Sequence, residues 1–176
     1  MSAAMPELRK AAVQWRGTPT DVVGPALKTG DTAPSDFVVT ATDMKSVAGA
    51  QLAGTPRIIC ALPSLDTPVC DVEMKRFNQE AANLPGIKVY VLSLDLPFAQ
   101  KRWCGATGSD RLEALSDYKE RSFGPAYGVL APAKGLFVRA VFVIGKDDKL
   151  RYVEYVKDVV SEPDYAAALQ AAKSAV

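Results

Sequence analysis

An apolar run of Ile58, Ile59, Cys60, Ala61 and Leu62 stops at Pro63, and shortly afterwards Thr67-Pro68 opens an amphipathic segment. Few folds accommodate that order. A short run rich in β-branched and aliphatic residues suits a strand buried on both faces, and such strands belong to sheets covered on both sides. Pro63 ends the strand by fixing φ and removing a backbone donor. Thr67 stands where an N-cap belongs, and Pro68 is tolerated at the first helical position because its missing N–H has no partner there. The helix is expected to reach about Leu84, with Met74, Phe77, Ala81 and Leu84 on the stripe that faces a sheet. Asp71 and Glu73 fall near its start, where the helix dipole favours negative charge.

Cys70 takes the third helical position, where a capping box carries Glu or Gln. A thiolate there meets unpaired backbone N–H groups and the positive end of the macrodipole. Strand, turn and helix together point to a nucleophile. A second reading stands beside it, since free cysteines are among the most buried residues and Cys70 taken alone fits a small core side chain as well.

Composition narrows the chemistry. The chain of 176 residues contains no histidine, which excludes Ser-His-Asp and Cys-His catalysis, His-ligated zinc and imidazole acid–base chemistry together. Its three cysteines, Cys60, Cys70 and Cys104, form no Cys-x-x-Cys pair, which argues against a thioredoxin-type dithiol site and against a zinc ribbon. Cys60 lies inside the apolar strand, where burial disfavours the thiolate and blocks access, so it reads as inert core. Gly105-Ala106-Thr107-Gly108 lacks the Lys-Ser/Thr of a phosphate loop. A net charge of +1 gives no reason to expect nucleic acid or an acidic membrane as partner. No stretch approaches a membrane span, and residues 1–16 lack the apolar core of a signal peptide, so a cytoplasmic protein is expected.

The whole length reads as a single domain, large enough to bury about 70% of its unfolded surface, with residues 1–12 as a flexible leader. Residues 13–16 and 20–23 flank Gly17-Thr18-Pro19 as a small hairpin, and residues 24–34 form a loop rich in turn residues. Strands are expected at residues 37–40, 87–93 and 113–117. The strand at 87–93 completes a βαβ unit with the Cys70 helix. A helix over 98–104 is expected to break at Gly105 and Gly108, and a helical turn is expected around 123–127. Residues 140–144 and 150–155 read as a second hairpin, followed by a terminal amphipathic helix over 164–175. Strands alternating with helices imply an α/β fold with a mixed central sheet, compatible with a thioredoxin-like core that carries an N-terminal β-hairpin.

Pro63, Thr67 and Cys70 match the Pro-x-x-x-Thr-x-x-Cys motif of peroxiredoxins. The run Pro63-Ser64-Leu65-Asp66-Thr67-Pro68-Val69-Cys70 resembles the bacterial thiol peroxidase subfamily of atypical two-cysteine peroxiredoxins. The resemblance extends over residues 13–172. It includes Gln14-Trp15-Arg16-Gly17-Thr18-Pro19, Asp95-Leu96-Pro97-Phe98-Ala99-Gln100, Lys134-Gly135-Leu136 with Arg139-Ala140, and Glu162-Pro163-Asp164-Tyr165. It implies that Cys70 attacks a hydroperoxide and becomes a sulfenic acid, that Thr67 and Arg139 supply donors to sulfur or peroxide, and that Pro63 shields the thiolate. It also implies that Cys104 resolves the sulfenic acid as a Cys70–Cys104 disulfide, with local unwinding around both cysteines because a disulfide needs Cα atoms within about 7 Å. Without the resemblance, Arg139 reads as a solvated residue at a strand edge, Ser64 and Asp66 as turn residues, and Trp15 and Trp103 as core packing or the walls of a substrate approach.

The same resemblance implies a peroxidase for hydrogen peroxide and organic hydroperoxides, recycled by a thioredoxin-type reductant and working as a homodimer. No metal, haem or flavin is implied, since the electrons pass through sulfur. Two other functions stay open on the same residues: a peroxide-sensing relay that passes its oxidation to a partner protein, and a holdase chaperone.

Overall fold

The computed structural model describes residues 6–176. In chain order the strands and helices are β1 (Leu8–Trp15), β2 (Thr18–Val23), β3 (Val38–Ala41), β4 (Ser46–Ala48), β5 (Arg57–Ala61), α1 (Pro68–Ala81), β6 (Lys88–Ser93), α2 (Pro97–Thr107) and β7 (Leu112–Ser116). There follow α3 (Phe123–Tyr127), β8 (Leu130–Ala131), β9 (Leu136–Phe137), β10 (Ala140–Ile144), β11 (Leu150–Tyr155) and α4 (Tyr165–Lys173). A seven-stranded sheet has the order β11-β10-β5-β6-β7-β3-β4, and a four-stranded sheet the order β1-β2-β8-β9. Among the strand pairs of the described residues, only β5–β6 and β6–β7 are parallel. Parallel neighbours need crossover connections, and α1 and α2 supply them.

The apolar run reads as it does because β5 lies between two cores. Ile58 and Cys60 join Val89, Val91, Val141 and Val143 on the face covered by Met74 and Phe77 of α1 and by Ala168 and Ala172 of α4. Ile59 and Ala61 join Leu92, Phe142 and Ile144 on the opposite face, under Phe123 and Tyr127 of α3 and Val13 and Val22 of the hairpin. Alternate side chains point to opposite faces, so a strand covered on both sides carries no polar alternation. This is the expected α/β arrangement, a mixed sheet between helices with an N-terminal hairpin. Among the described residues no helix is long and apolar enough to cross a membrane.

Several boundaries differ from expectation. The flexible leader expected over residues 1–12 is contradicted from Leu8 onward, where β1 begins; residues 1–5 lie outside the described residues. Val13 is the one buried side chain of β1, so the strand carries little apolar signal. A backbone irregularity at Ala11 (φ 48°), between the Arg9 and Val13 pairings with β2, interrupts its alternation. Arg9 anchors it by donating to Gly24 O at 2.8 Å and to Gly128 O, with its guanidinium over the Tyr155 ring.

Helix α1 stops at Ala81 rather than near Leu84, where Pro85 disfavours helical backbone in the preceding residue. Helix α2 runs through Gly105 and ends only at Gly108, which caps it with φ +63°. A helical glycine costs only about 1 kcal/mol relative to alanine, too little to break a packed helix. Asp164 caps α4, accepting from Ala167 N at 3.0 Å. The short strands β4, β8 and β9 were not expected from sequence, being too brief for any periodicity. Gly128, after α3, has φ +64°, and a Cβ there would lie 1.9 Å from Pro25 O, so this close approach admits only glycine.

Candidate active site

The first turn of α1 carries Cys70, which is wholly buried. Thr67 is the N-cap residue with extended backbone, but its hydroxyl does not cap the helix. Thr67 Oγ1 donates instead to Ser64 O at 3.0 Å, and Thr67 N donates to the same carbonyl at 3.1 Å. The turn therefore closes on itself, and no side chain caps the N–H groups at the head of α1.

Arg139 is the counterpart of Cys70. It lies between β9 and β10, and only 1% of its surface is exposed, so the reading of a solvated edge residue is overturned. Its Nη2 reaches Cys70 Sγ at 3.3 Å. Nε and Nη2 both donate to Val159 O, at 3.1 and 2.8 Å, and Nη1 donates to Glu73 Oε2. The planar fork of donors holds three partners at once, which a lysine ammonium on a flexible stem does not do.

Glu73 is the group that sequence reasoning missed. Taken as a charge beside the helix dipole, it is fully buried, one turn beyond Cys70, and ion-paired with Arg139. Burial pushes its carboxyl up to about 7, an effect that Arg139 only partly offsets. Its Oε1 has no hydrogen-bond partner. The available signal was spacing, since residues three apart on a helix share a face and Glu73 must point inward wherever Cys70 does.

A cavity of about 190 Å³ opens above this cluster, lined by Pro63, Thr67, Pro68, Val69, Arg139 and Val159, with Trp15, Arg16 and Val160 at its other walls. Pro63 is buried, and Trp15 thus belongs to the approach. Trp103 instead packs between helices, donating from Nε1 to Asp71 Oδ1 at 2.9 Å. The cavity reaches the guanidinium that touches Sγ without exposing Cys70 itself.

Cys104 sits in the last turn of α2, half-buried against the same apolar cluster that holds Cys70, and burial pushes its thiol up. All three cysteines are free thiols. Cys60 is core, as read from sequence; burial holds its thiol well above the ordinary range, Glu73 adds to this, and Arg139 opposes it.

A mixed sheet between helices, with a cysteine at a helix start against a buried arginine, defines a redoxin, and the Redoxin family model matches residues 28–169. The thiol peroxidase of Halalkalibacterium halodurans is 46% identical over 166 residues, which is 94% of this chain and 99% of the relative. That of Bacillus subtilis is 44% identical with the same coverage. Among solved structures, a peroxiredoxin-like protein from Aquifex aeolicus superposes with a TM-score of 0.84 at 39% identity, covering 96% of this chain and 99% of that one. The chain belongs to the redoxin family and, within it, to the thiol peroxidases.

Proposed function

We propose that the protein reduces hydrogen peroxide and organic hydroperoxides through a two-cysteine cycle. The observation that carries the reading is the 3.3 Å contact between Arg139 Nη2 and Cys70 Sγ at the head of a helix. A permanent cation and unpaired helix N–H groups stabilise a thiolate and, later, the charge that develops on the departing oxygen. The Cys70 sulfur attacks the terminal peroxide oxygen and the O–O bond breaks. That oxygen stays on sulfur as sulfenic acid, and the alkoxide leaves with the proton given up by the thiol. Thr67, at the cavity wall, gives its one hydroxyl proton to Ser64 O and so accepts from the incoming peroxide rather than donating to it, and Pro63 keeps bulk water from the sulfur.

Cys104 then attacks the sulfenic sulfur. An S–S bond forms, the S–O bond breaks, and hydroxide leaves with the Cys104 proton as water. A thioredoxin-type dithiol returns two electrons and two protons. A cycle that begins from free thiols fits the reducing cytoplasm. An apolar rim of Pro68, Val72 and Val160 beside the cavity supports a homodimer. In the test, the fully reduced protein receives one equivalent of an organic hydroperoxide and its disulfides are mapped by mass spectrometry. A Cys70–Cys104 link is expected, with Cys60 alkylated only after denaturation. Stable sulfenic or sulfinic acid on Cys70 with Cys104 unchanged would overturn the two-cysteine cycle.

A further inference from the structure

Asp95 stands between β6 and α2, and its carboxylate is committed to the turn that carries Cys70. Oδ1 accepts from Ser64 Oγ at 2.7 Å, and Oδ2 accepts from Leu65 N at 2.9 Å and from Ser93 Oγ at 2.8 Å. Hydrogen bonds continue from it in two directions. Toward Cys70, Ser64 is the residue whose carbonyl orients the Thr67 hydroxyl and amide. Toward Cys104, Ser93 Oγ accepts from Gln100 Nε2 at 3.1 Å, and the same nitrogen donates to Leu115 O at 3.0 Å. Gln100 is buried on α2, four residues before Cys104 and hence on the same helix face. Two other contacts join the segments, Trp103 to Asp71 and an exposed Arg102 to Asp66 at 3.4 Å. Neither of them holds the backbone of the turn, whereas Asp95 does through Leu65 N.

We propose that Asp95 is a positioning residue, a latch that holds the Cys70 turn and α2 in the arrangement from which peroxide is reduced and that lets go before Cys104 reaches Cys70. The inference rests on the two-cysteine cycle above. Bonds to an ionised carboxylate are roughly twice as strong as neutral ones, so the latch acts with opposite sign on two steps. It speeds attack on peroxide by fixing Thr67 and the first turn of α1. It slows disulfide closure, because both segments leave their places when the S–S bond forms and water departs from the sulfenic sulfur.

The test is Asp95→Asn, nearly isosteric but uncharged and unable to accept at both positions. Rapid mixing with hydrogen peroxide, quenched by alkylation and read by mass spectrometry, separates sulfenic acid formation from closure. Formation is expected to slow by about tenfold and closure to accelerate by about tenfold, the size of one lost charge-assisted bond. Ile59→Val, on the opposite face of the sheet, lowers stability without this opposed pattern and serves as control. If Asp95→Asn fails to fold, Ser64→Ala removes one donor to the carboxylate and carries the same opposed signs at smaller size. Rates that stay unchanged, or that fall together, overturn the latch. Absence of a Cys70–Cys104 disulfide in the unsubstituted protein overturns the underlying cycle instead.

Discussion

Arg139 Nη2 lies 3.3 Å from Cys70 Sγ although 69 residues separate the two in the chain. Both groups are buried, and Arg139 is ion-paired with one buried carboxylate, Glu73. A buried cation without compensating partners is strongly destabilising. Here Val159 O, Glu73 and the sulfur supply those partners, and the sulfur is the one to which the proposed cycle assigns the reaction.

Arg139→Lys keeps the charge and loses the fork. A single ammonium cannot span Val159 O, Glu73 and Sγ together. The second-order rate with hydroperoxide is expected to fall by about 10²-fold, comparable to losing one donor aimed at developing charge. Arg139→Met leaves Glu73 unpaired in the core and is expected to cost about 3–5 kcal/mol in urea unfolding. A lysine variant at full rate would remove Arg139 from the chemistry.

Glu73 makes stability depend on pH in an unusual direction. Burial raises its carboxyl from an ordinary 4.5 to about 7. The folded protein therefore keeps a proton that the unfolded chain has already released. The resulting stabilisation is fully present below about pH 4.5 and is lost as pH rises through 7, on the order of 3 kcal/mol in all. Glu73→Gln cannot titrate, so the stability of the native protein relative to this variant should decline by that amount between pH 4.5 and 7.5. Parallel urea-midpoint curves would mean that Glu73 is ionised throughout.

Cys60 is wholly buried on the sheet face that packs against Cys70, and the proposed cycle gives it no step. Cys60→Ala should leave peroxide reduction and the Cys70–Cys104 disulfide intact while costing about 1–2 kcal/mol for the small cavity it opens. Loss of turnover in a folded variant would assign Cys60 a role.

Gly128→Ala tests the frame rather than the chemistry. Its φ of +64° and the 1.9 Å approach of Pro25 O to a Cβ force a shift of the loop that joins α3 to the N-terminal sheet. A destabilisation of more than about 2 kcal/mol is expected from calorimetry, with the rate per folded molecule retained because neither Gly128 nor Pro25 lines the cavity. A melting temperature equal to that of the native protein would show that the loop yields freely.

Much of the frame was legible because its signals are local. The apolar run of β5, the proline that ends it, the Thr67-Pro68 start of α1 and the hairpins at β1–β2 and β10–β11 follow from neighbouring residues. Local signals misled where a residue's environment is made elsewhere. β1 begins at Leu8 because Arg9 is held by Gly24, Gly128 and Tyr155, none of them near it in sequence.

The chain by itself determined that Cys70 opens a helix after a buried strand, that Cys60 is core and that no histidine assists, since these depend on residue type and spacing alone. The family resemblance implied Arg139 at the thiol, but only the tertiary structure decided how the thiol is surrounded. It turned Arg139 from an apparent surface residue into a buried cation, paired it with Glu73, and joined Ser64 to Gln100 through Asp95 and Ser93. The reason is physical. Helix and strand propensities act over a few residues, whereas burial of a charge is tolerated only where distant segments converge to supply its partners, and that convergence is a property of the packed sheet.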